Sequence, residues 1–332
     1  MRRLGVRVRA GSRLHLGFYA LKFGDYAYGS VGLYIEEPRT IVEIGRGSST
    51  EEGPSPLYVE ETRALRSLAE RVCGEASEEL SLRIEEHPPR HVGLGSTTQI
   101  LLAAGLAISR YCGSDLSAAE LAVALGRGRA SGVGILGFER GGIVVDGGRK
   151  MIGGKLEAPR SVEELPKLIF RTSFPEDWLV VLAIPKRAAG IRGSAEDEII
   201  SRPVELDKET RRELLEALHF RVVRGVLERD LALFGSGVNA IQETMGELFA
   251  PYQGGKYATR ETWEAVEAMR ALGAAGAGQS SWGPLAYGFF ESKTLRAKLA
   301  ELRGLLNKAG SFEVRVVRAR NRGREVRALR SR

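Results

Sequence analysis

The stretch His91-Val92-Gly93-Leu94-Gly95-Ser96-Thr97-Thr98-Gln99 constrains this chain more than any other segment. It is a glycine-rich turn with three consecutive hydroxyl residues, and it runs directly into an apolar segment at Ile100. The pattern predicts a helix over 98–111 that is apolar almost all round and therefore buried, with Gly113 ending it. The first N–H groups of a helix have no intrahelical acceptors, and the helix dipole is positive at that end. A glycine-rich entry lets a ligand approach the backbone closely, so the turn reads as a phosphate site. Its candidate ligand-binding residues are Gly93, Leu94, Gly95, Ser96, Thr97, Thr98 and Gln99.

The N-terminal part reads mainly as strands, at 6–9, 13–18, 31–35 and 40–44, separated by glycine-rich turns. A helix is predicted over 61–72 and a strand over 80–84. Ser117-Ala118-Ala119-Glu120 is a capping box for a helix over 118–125, closed by Gly126. A second glycine-rich passage, Arg127 to Gly134, precedes a predicted hairpin of 142–146 and 149–152 turning at Asp146-Gly147-Gly148. The pattern weakens over 159–175, which places a domain boundary there. The expected division is an N-terminal phosphate-binding domain (1–165), a C-terminal α+β domain (166–320) and a basic tail (321–332). In the second half, 178–184 reads as a buried strand. Helices over 207–228 and 230–249 each open at an aspartate in N-cap position. A helix over 259–272, a strand over 285–290, a helix over 293–308 and a strand over 312–317 complete the chain. The expected fold class is α+β, two domains with a cleft between them.

A composition of 43% hydrophobic and 27% charged residues suits a soluble globular enzyme, and the net charge of +7 biases the chain toward anionic small molecules. The run Arg315 to Arg332 holds eight arginines and one glutamate without interleaved aromatics, so it is expected to be a frayed end and not a nucleic-acid arm. No signal-peptide pattern and no membrane-length apolar run are present, which points to the cytoplasm. Cys73 and Cys112, near the ends of predicted helices, show no metal-ligand spacing and do not make a secreted disulfide framework.

A late motif, Gly273 to Pro284, lies between a predicted helix and a predicted strand. Its density of glycine with polar residues favours a ligand loop over a plain connection, with Gly276, Gly278, Gln279, Ser280 and Ser281 as candidates. Arg13 and His15 share one strand face by alternation, so both are candidates to point into the cleft and hold a phosphate or a carboxylate; a structural role for His15 has equal weight. Arg127 and Arg129 are candidate anion clamps, and His91 a candidate to orient the phosphate turn. Trp282 reads equally as a stacking platform or a core residue. Glu196-Asp197-Glu198 reads as a charged helix start or as Mg²⁺ contacts.

Arg13-Leu14-His15-Leu16-Gly17, the turn at Gly93 to Gln99 and the late Gly276-Ala277-Gly278-Gln279-Ser280-Ser281-Trp282-Gly283 together resemble the three motif regions of the GHMP kinase superfamily. The resemblance implies a two-domain GHMP-kinase-like fold with a central cleft, the central loop wrapping phosphates and the late loop completing the site. Many kinases of that superfamily use an aspartate, in a segment resembling Ser-Gly-Val-Asp, to take the proton of the acceptor hydroxyl. Here Ser131-Gly132-Val133 is followed by Gly134, so that base is missing. No Walker-type Gly-Lys-Ser/Thr is present either.

The strings RLHLGF, YGSVGLYIEEP, HVGLGSTTQ, GRASGVGILGFERGGIVVDGG, YQGGKY and GQSSWGP resemble one branch, the archaeal β-ribofuranosylaminobenzene 5′-phosphate synthase family of methanopterin-type cofactor synthesis. This implies condensation of phosphoribosyl diphosphate with 4-aminobenzoate or a related 4-substituted benzoate, releasing CO₂ and diphosphate. It implies Mg²⁺, with Ser96 as a metal contact, and Arg13, His15 and Gln279 as the catalytic set. No membrane or nucleic-acid partner is implied, and a homodimer is admitted. A ring-carbon nucleophile has no acceptor hydroxyl to deprotonate for attack, which makes Gly134 intelligible. Two other readings stand beside it: an ATP-dependent small-molecule kinase of the same fold, and a non-catalytic binder of anionic ligands or nucleic acid.

Overall fold

The computed structural model describes residues 5–47, 56–187, 194–201 and 203–329, with the helix alone described over 194–197. Two antiparallel sheets carry the fold. The first is built on a long hairpin, β1 (Gly5–Phe23) and β2 (Tyr26–Arg46), turning at Gly24-Asp25. It is extended by β3 (Leu80–Glu86), β4 (Ile143–Asp146), β5 (Arg149–Lys150), β6 (Leu168–Thr172) and β11 (Glu325–Leu329). The second has the order β10-β7-β9-β8, from β7 (Trp178–Pro185), β8 (Gly276–Gln279), β9 (Ala286–Glu291) and β10 (Phe312–Val317).

Helices α1 (Val59–Cys73), α2 (Ser96–Tyr111), α3 (Ala118–Ala124) and α4 (Val133–Arg140) cover the outer face of the first sheet. Helix α5 (Ser194–Ser201) is followed by α6 (Lys208–Glu216), a π-helical turn at Ala217–Val223, α7 (Arg224–Glu228) and α8 (Leu231–Gln253), which pack between the sheets. Helices α9 (Arg260–Ala271) and α10 (Ser292–Ala309) cover the far face of the second sheet. The expected caps form at Asp207 and Asp230, which accept from the N–H groups of Thr210 and Leu233, and the structure adds a third at Thr259, which accepts from the Thr262 N–H. One continuous core, from Leu14, Leu16, Val31 and Leu33 through Val180, Leu182, Phe234 and Ile241, joins the two sheets.

The four short strands expected near the N-terminus are two long ones. Glycines read as turns are absorbed by register shifts between Ala10 and Ser12, His15 and Gly17, and Phe18 and Ala20. Such a shift exchanges strand faces. Val6, Val8 and Ala10 pack under the outer helices, whereas Leu14 and Leu16, of the same parity, pack between the sheets. The first bulge therefore decides where Arg13 points, and its Nη1 donates to the Gly93 carbonyl at 2.8 Å.

Other expectations are corrected. Residues 142–152 do not form a hairpin, because β4 and β5 both pair with β2 and lie in line along it, with Gly147-Gly148 as a kink. Strand β6 pairs with β4, so 168–172 belong to the first sheet and not to a second domain beginning at 166. The basic tail does not fray from 321: β11 pairs with β1, and Arg320 is buried in ion pairs with Glu36 and Glu325. Alternation in Glu325–Leu329 carries a strand whose partner is more than three hundred residues away, a pairing that local pattern cannot reveal.

Cys73 and Cys112, which sequence spacing did not pair, are joined in a disulfide linking the C-terminal ends of α1 and α2. With a sequence separation of 39 residues, loop closure makes this bond worth about 3–4 kcal/mol. Replacing Cys73→Ser is expected to lower the denaturant midpoint accordingly and to abolish its response to reductant. Equal midpoints for the unaltered protein with and without reductant would contradict the bond.

Candidate active site

The turn at the start of α2 is set by left-handed backbone at Gly93 (φ 104°) and Gly95 (φ 66°), with His91 in the same region (φ 60°). The glycines answer to protein neighbours. A Cβ at Gly93 would stand 2.2 Å from the Ser280 carbonyl oxygen, and one at Gly95 would stand 2.8 Å from Arg13 Cγ. Gly95 is the N-cap of α2 and no side chain caps the helix, which leaves the N–H groups of Ser96, Thr97 and Thr98 without helical acceptors. The Arg127 Nε donates to Thr98 Oγ1 at 3.3 Å, adding a guanidinium beside that end of the helix. Arg129 instead donates to the Leu156 carbonyl. His91 pairs with the Tyr58 hydroxyl at 2.9 Å, and their rings stack.

Several candidates from the sequence are internal brackets. Gln99 is fully buried, accepts from the Tyr34 hydroxyl and donates to the Gly134 carbonyl, both at 2.9 Å. Leu94 is a core residue. Gly276 and Gly278 sit within β8 and admit α8: Cβ atoms there would stand 2.8 Å from Gly235 Cα and 2.2 Å from Gln242 Oε1. The late motif is thus an edge strand of the second sheet followed by a short turn, not one ligand loop. Gln279 accepts from the Ala258 N–H and donates to Gln253 Oε1 and the Ser281 carbonyl, so both amide hydrogens are in use. These bonds make it a fastener for the 253–258 segment, and it also lines the pocket beside Ser281.

Ser280 ties the three motifs together. Its buried hydroxyl accepts from the His15 N–H at 3.0 Å and donates to the Gly93 carbonyl at 2.6 Å. Ser281 adopts φ 55°, turning the chain so that Ser281 and Trp282 line a pocket. His15 and Phe18 form one wall, and Met245, Phe249 and Lys256 contribute the opposite side and rim. Burial, and then the charge of Arg13, push the His15 imidazole down to about 3, so the ring is neutral at pH 7. Its buried Nε2 has no hydrogen-bond partner.

Asp146, unmarked by any sequence signal beyond its place before two glycines, is fully buried beneath the second glycine-rich passage. It accepts from the Ser30 hydroxyl and from the N–H groups of Gly132 and Gly148. Burial raises its carboxyl to about 6 against the pull of those donors. It orients the start of α4, where a Cβ at Gly134 would stand 3.3 Å from Thr98 Cγ2. Position 134 thus faces the phosphate turn, and no carboxylate stands there.

Among the described residues, no group of three or more His, Cys, Asp or Glu side chains could hold a metal ion. Ser96 is buried and offers a single hydroxyl, so these residues do not make a resident divalent-cation site. The side chains of Glu196 and Asp197 lie outside the described residues.

The family descriptions "GHMP kinases N terminal domain" and "GHMP kinases C terminal" match residues 59–140 and 222–308. A homoserine kinase from Cytophaga hutchinsonii shares the fold at TM-score 0.65 and 15% identity, covering 98% of both chains. A mevalonate 5-diphosphate decarboxylase shares it at 0.66 and 13%, covering 98% of this chain and 97% of the other. More specific similarity comes from curated relatives. A beta-ribofuranosylphenol 5′-phosphate synthase of Archaeoglobus fulgidus is 32% identical over 97% of this chain and 99% of its own. One of Methanothermobacter thermautotrophicus is 29% identical over 95% and 97%. The chain belongs to the GHMP kinase superfamily and, within it, to the family of these synthases; it is an enzyme of that type. No described helix is long and apolar enough to cross a membrane.

Replacing Ser280→Ala leaves the His15 N–H and the Gly93 carbonyl without their partner. It is expected to cost about 1–3 kcal/mol in urea unfolding and to weaken diphosphate binding. Asp146 has a folded value of about 6 against an ordinary 3.8, so the native state holds its proton more tightly than the unfolded chain. Its contribution is fully present below pH 3.8 and is lost as pH rises through 6, amounting to about 3 kcal/mol. The stability difference between the unaltered protein and Asp146→Asn is expected to move against the unaltered protein by that amount between pH 3 and 7. A flat difference would refute the assignment.

Proposed function

We propose that this enzyme joins phosphoribosyl diphosphate to a 4-substituted benzoate with loss of CO₂ and diphosphate. The observation that carries the reading is Gly134: a synthase-like chain over nearly its whole length has no carboxylate where the position faces the phosphate turn. The relatives' name specifies a ribofuranosylphenol, which favours 4-hydroxybenzoate as the arene over 4-aminobenzoate.

In this reading the diphosphate lies against the free N–H groups of Ser96, Thr97 and Thr98, with Arg13 and Arg127 beside it. The ring carbon bearing the carboxylate gives its electron pair to C1′ of the ribose. The C1′–oxygen bond breaks and its pair leaves with diphosphate. Fixed amide dipoles and guanidinium groups stabilise the charge that develops on the leaving group. The ring–carboxylate bond then breaks, its electrons restore aromaticity, and CO₂ departs. Mg²⁺ enters as the counter-ion of the diphosphate. The proposed cytoplasmic location sits with the Cys73–Cys112 bond only in a compartment that does not keep thiols reduced.

Incubation with phosphoribosyl diphosphate, 4-hydroxybenzoate and Mg²⁺ is expected to release CO₂ and diphosphate in equal amounts with a ribosylated phenol. The same assay with 4-aminobenzoate ranks the two arenes. ATP-dependent phosphorylation of a metabolite, with no CO₂ released, would replace this reading with a kinase.

A further inference from the structure

The pocket beside Ser281 and Trp282 combines two features that a packed interior does not normally leave together. Its walls are aromatic: Phe249 meets Trp282 edge to face at 4.4 Å between ring centres, and Phe18 meets the His15 ring at 4.7 Å. Within those walls sits one buried polar atom without a partner, His15 Nε2. The other polar groups around it are occupied. Gln242 bonds the Leu16 carbonyl and the Gln279 N–H, Gln279 is fully engaged, and Lys256 at the rim pairs with Glu243. Buried polar groups are nearly always satisfied, and one left open in a pocket calls for a partner from a ligand.

Resting on the function just proposed, we infer that this pocket is the arene site and that His15 Nε2 receives the ring hydroxyl. The imidazole takes the hydroxyl proton as the ring carbon attacks, and returns it when CO₂ leaves.

The reaction sets the orientation. The attacked carbon bears the carboxylate, so that end of the ring faces the ribose held near α2, and the para hydroxyl lies at the opposite end. Arg13 and His15 are two residues apart on β1 with no bulge between them, about 6.6 Å along the strand. Arg13 reaches the phosphate turn, while His15 lines the aromatic pocket. The strand therefore presents one group to each end of a para-substituted ring.

The proton balance suits this imidazole. As the ring carbon bonds to C1′, positive charge develops on the hydroxyl oxygen, and its proton becomes strongly acidic. A weak base with a free lone pair is enough to take it, and His15 is held neutral by burial and by Arg13. Loss of CO₂ sends the bond pair through the ring to oxygen. A phenolate, with an ordinary pKa of about 10, takes the proton back. His15 ends as it began, and the net products are the phenol, CO₂ and diphosphate.

The test pairs turnover with binding. Binding of 4-hydroxybenzoate alone, followed by tryptophan fluorescence with Trp282→Phe as control, is expected to quench the Trp282 contribution and to weaken in Phe249→Ala. In turnover, Phe249→Ala is expected to raise the KM for the arene about tenfold, leaving that for phosphoribosyl diphosphate unchanged. His15→Phe is expected to lower kcat with 4-hydroxybenzoate about 100-fold and to erase the preference over 4-methoxybenzoate, which has no proton to give. His15→Gln, which keeps an acceptor, is expected to restore part of both. A purely structural role for His15 would lower the two arenes alike, and that result overturns the assignment. An unchanged arene KM in Phe249→Ala, or no quenching at Trp282, removes the pocket as the arene site. Absence of CO₂ release by the unaltered enzyme, with Trp282 quenching intact, would instead strike the proposed reaction and leave the arene pocket standing.

Discussion

The site depends on one buried hydroxyl. Ser280 accepts a hydrogen bond from the backbone of β1 and donates one to the turn before α2, so three segments far apart in sequence meet at a single oxygen. Gly93 comes so close to Ser280 that no side chain fits between them, and Gly283 likewise abuts the Val92 backbone. The phosphate turn is therefore clamped from the second sheet before any ligand arrives. Preorganised donors of this kind stabilise a leaving anion without reorganising during the reaction.

Around that clamp, several polar side chains are spent on structure. Gln99 braces α2 against Tyr34 and Gly134, Gln279 braces 253–258, and Asp146 holds the start of α4. Such networks fix geometry in a low-dielectric interior, where each unmet partner is costly. Against this background the open Nε2 of His15 stands apart, since it lies in a pocket instead of in packing. The continuous core beneath both sheets keeps the two walls of that pocket in register.

The phosphate turn, the helix it opens, the helix caps and the family resemblance were legible because each is written in a few adjacent residues. Roles within the motifs were less legible. Gln99 and Gln279 look like ligand contacts in a string of glycines and hydroxyls, but amides pointing inward are consumed by neighbours that the string does not name. Gly276 and Gly278 signal close approach, and the sequence is silent on whether a ligand or helix α8 approaches. Phe249 and Gln242 lie inside a long helix whose periodicity marks them only as one face. Lys256 was visible in the YQGGKY string without a role attached to it.

Local residue order determined by itself that α2 is buried and opens on a free N-terminus, because apolar residues all round a helix exclude solvent from every side. It also determined that position 134 carries no carboxylate. Tertiary structure alone decided the rest. The bulge after Ala10 exchanges the faces of β1, strand β11 returns from the far end of the chain to pair with it, and Ser280 brings the late motif onto the early one. Those contacts join residues hundreds of positions apart, and their energies come from burial and from hydrogen bonds closed between segments, which no local window contains.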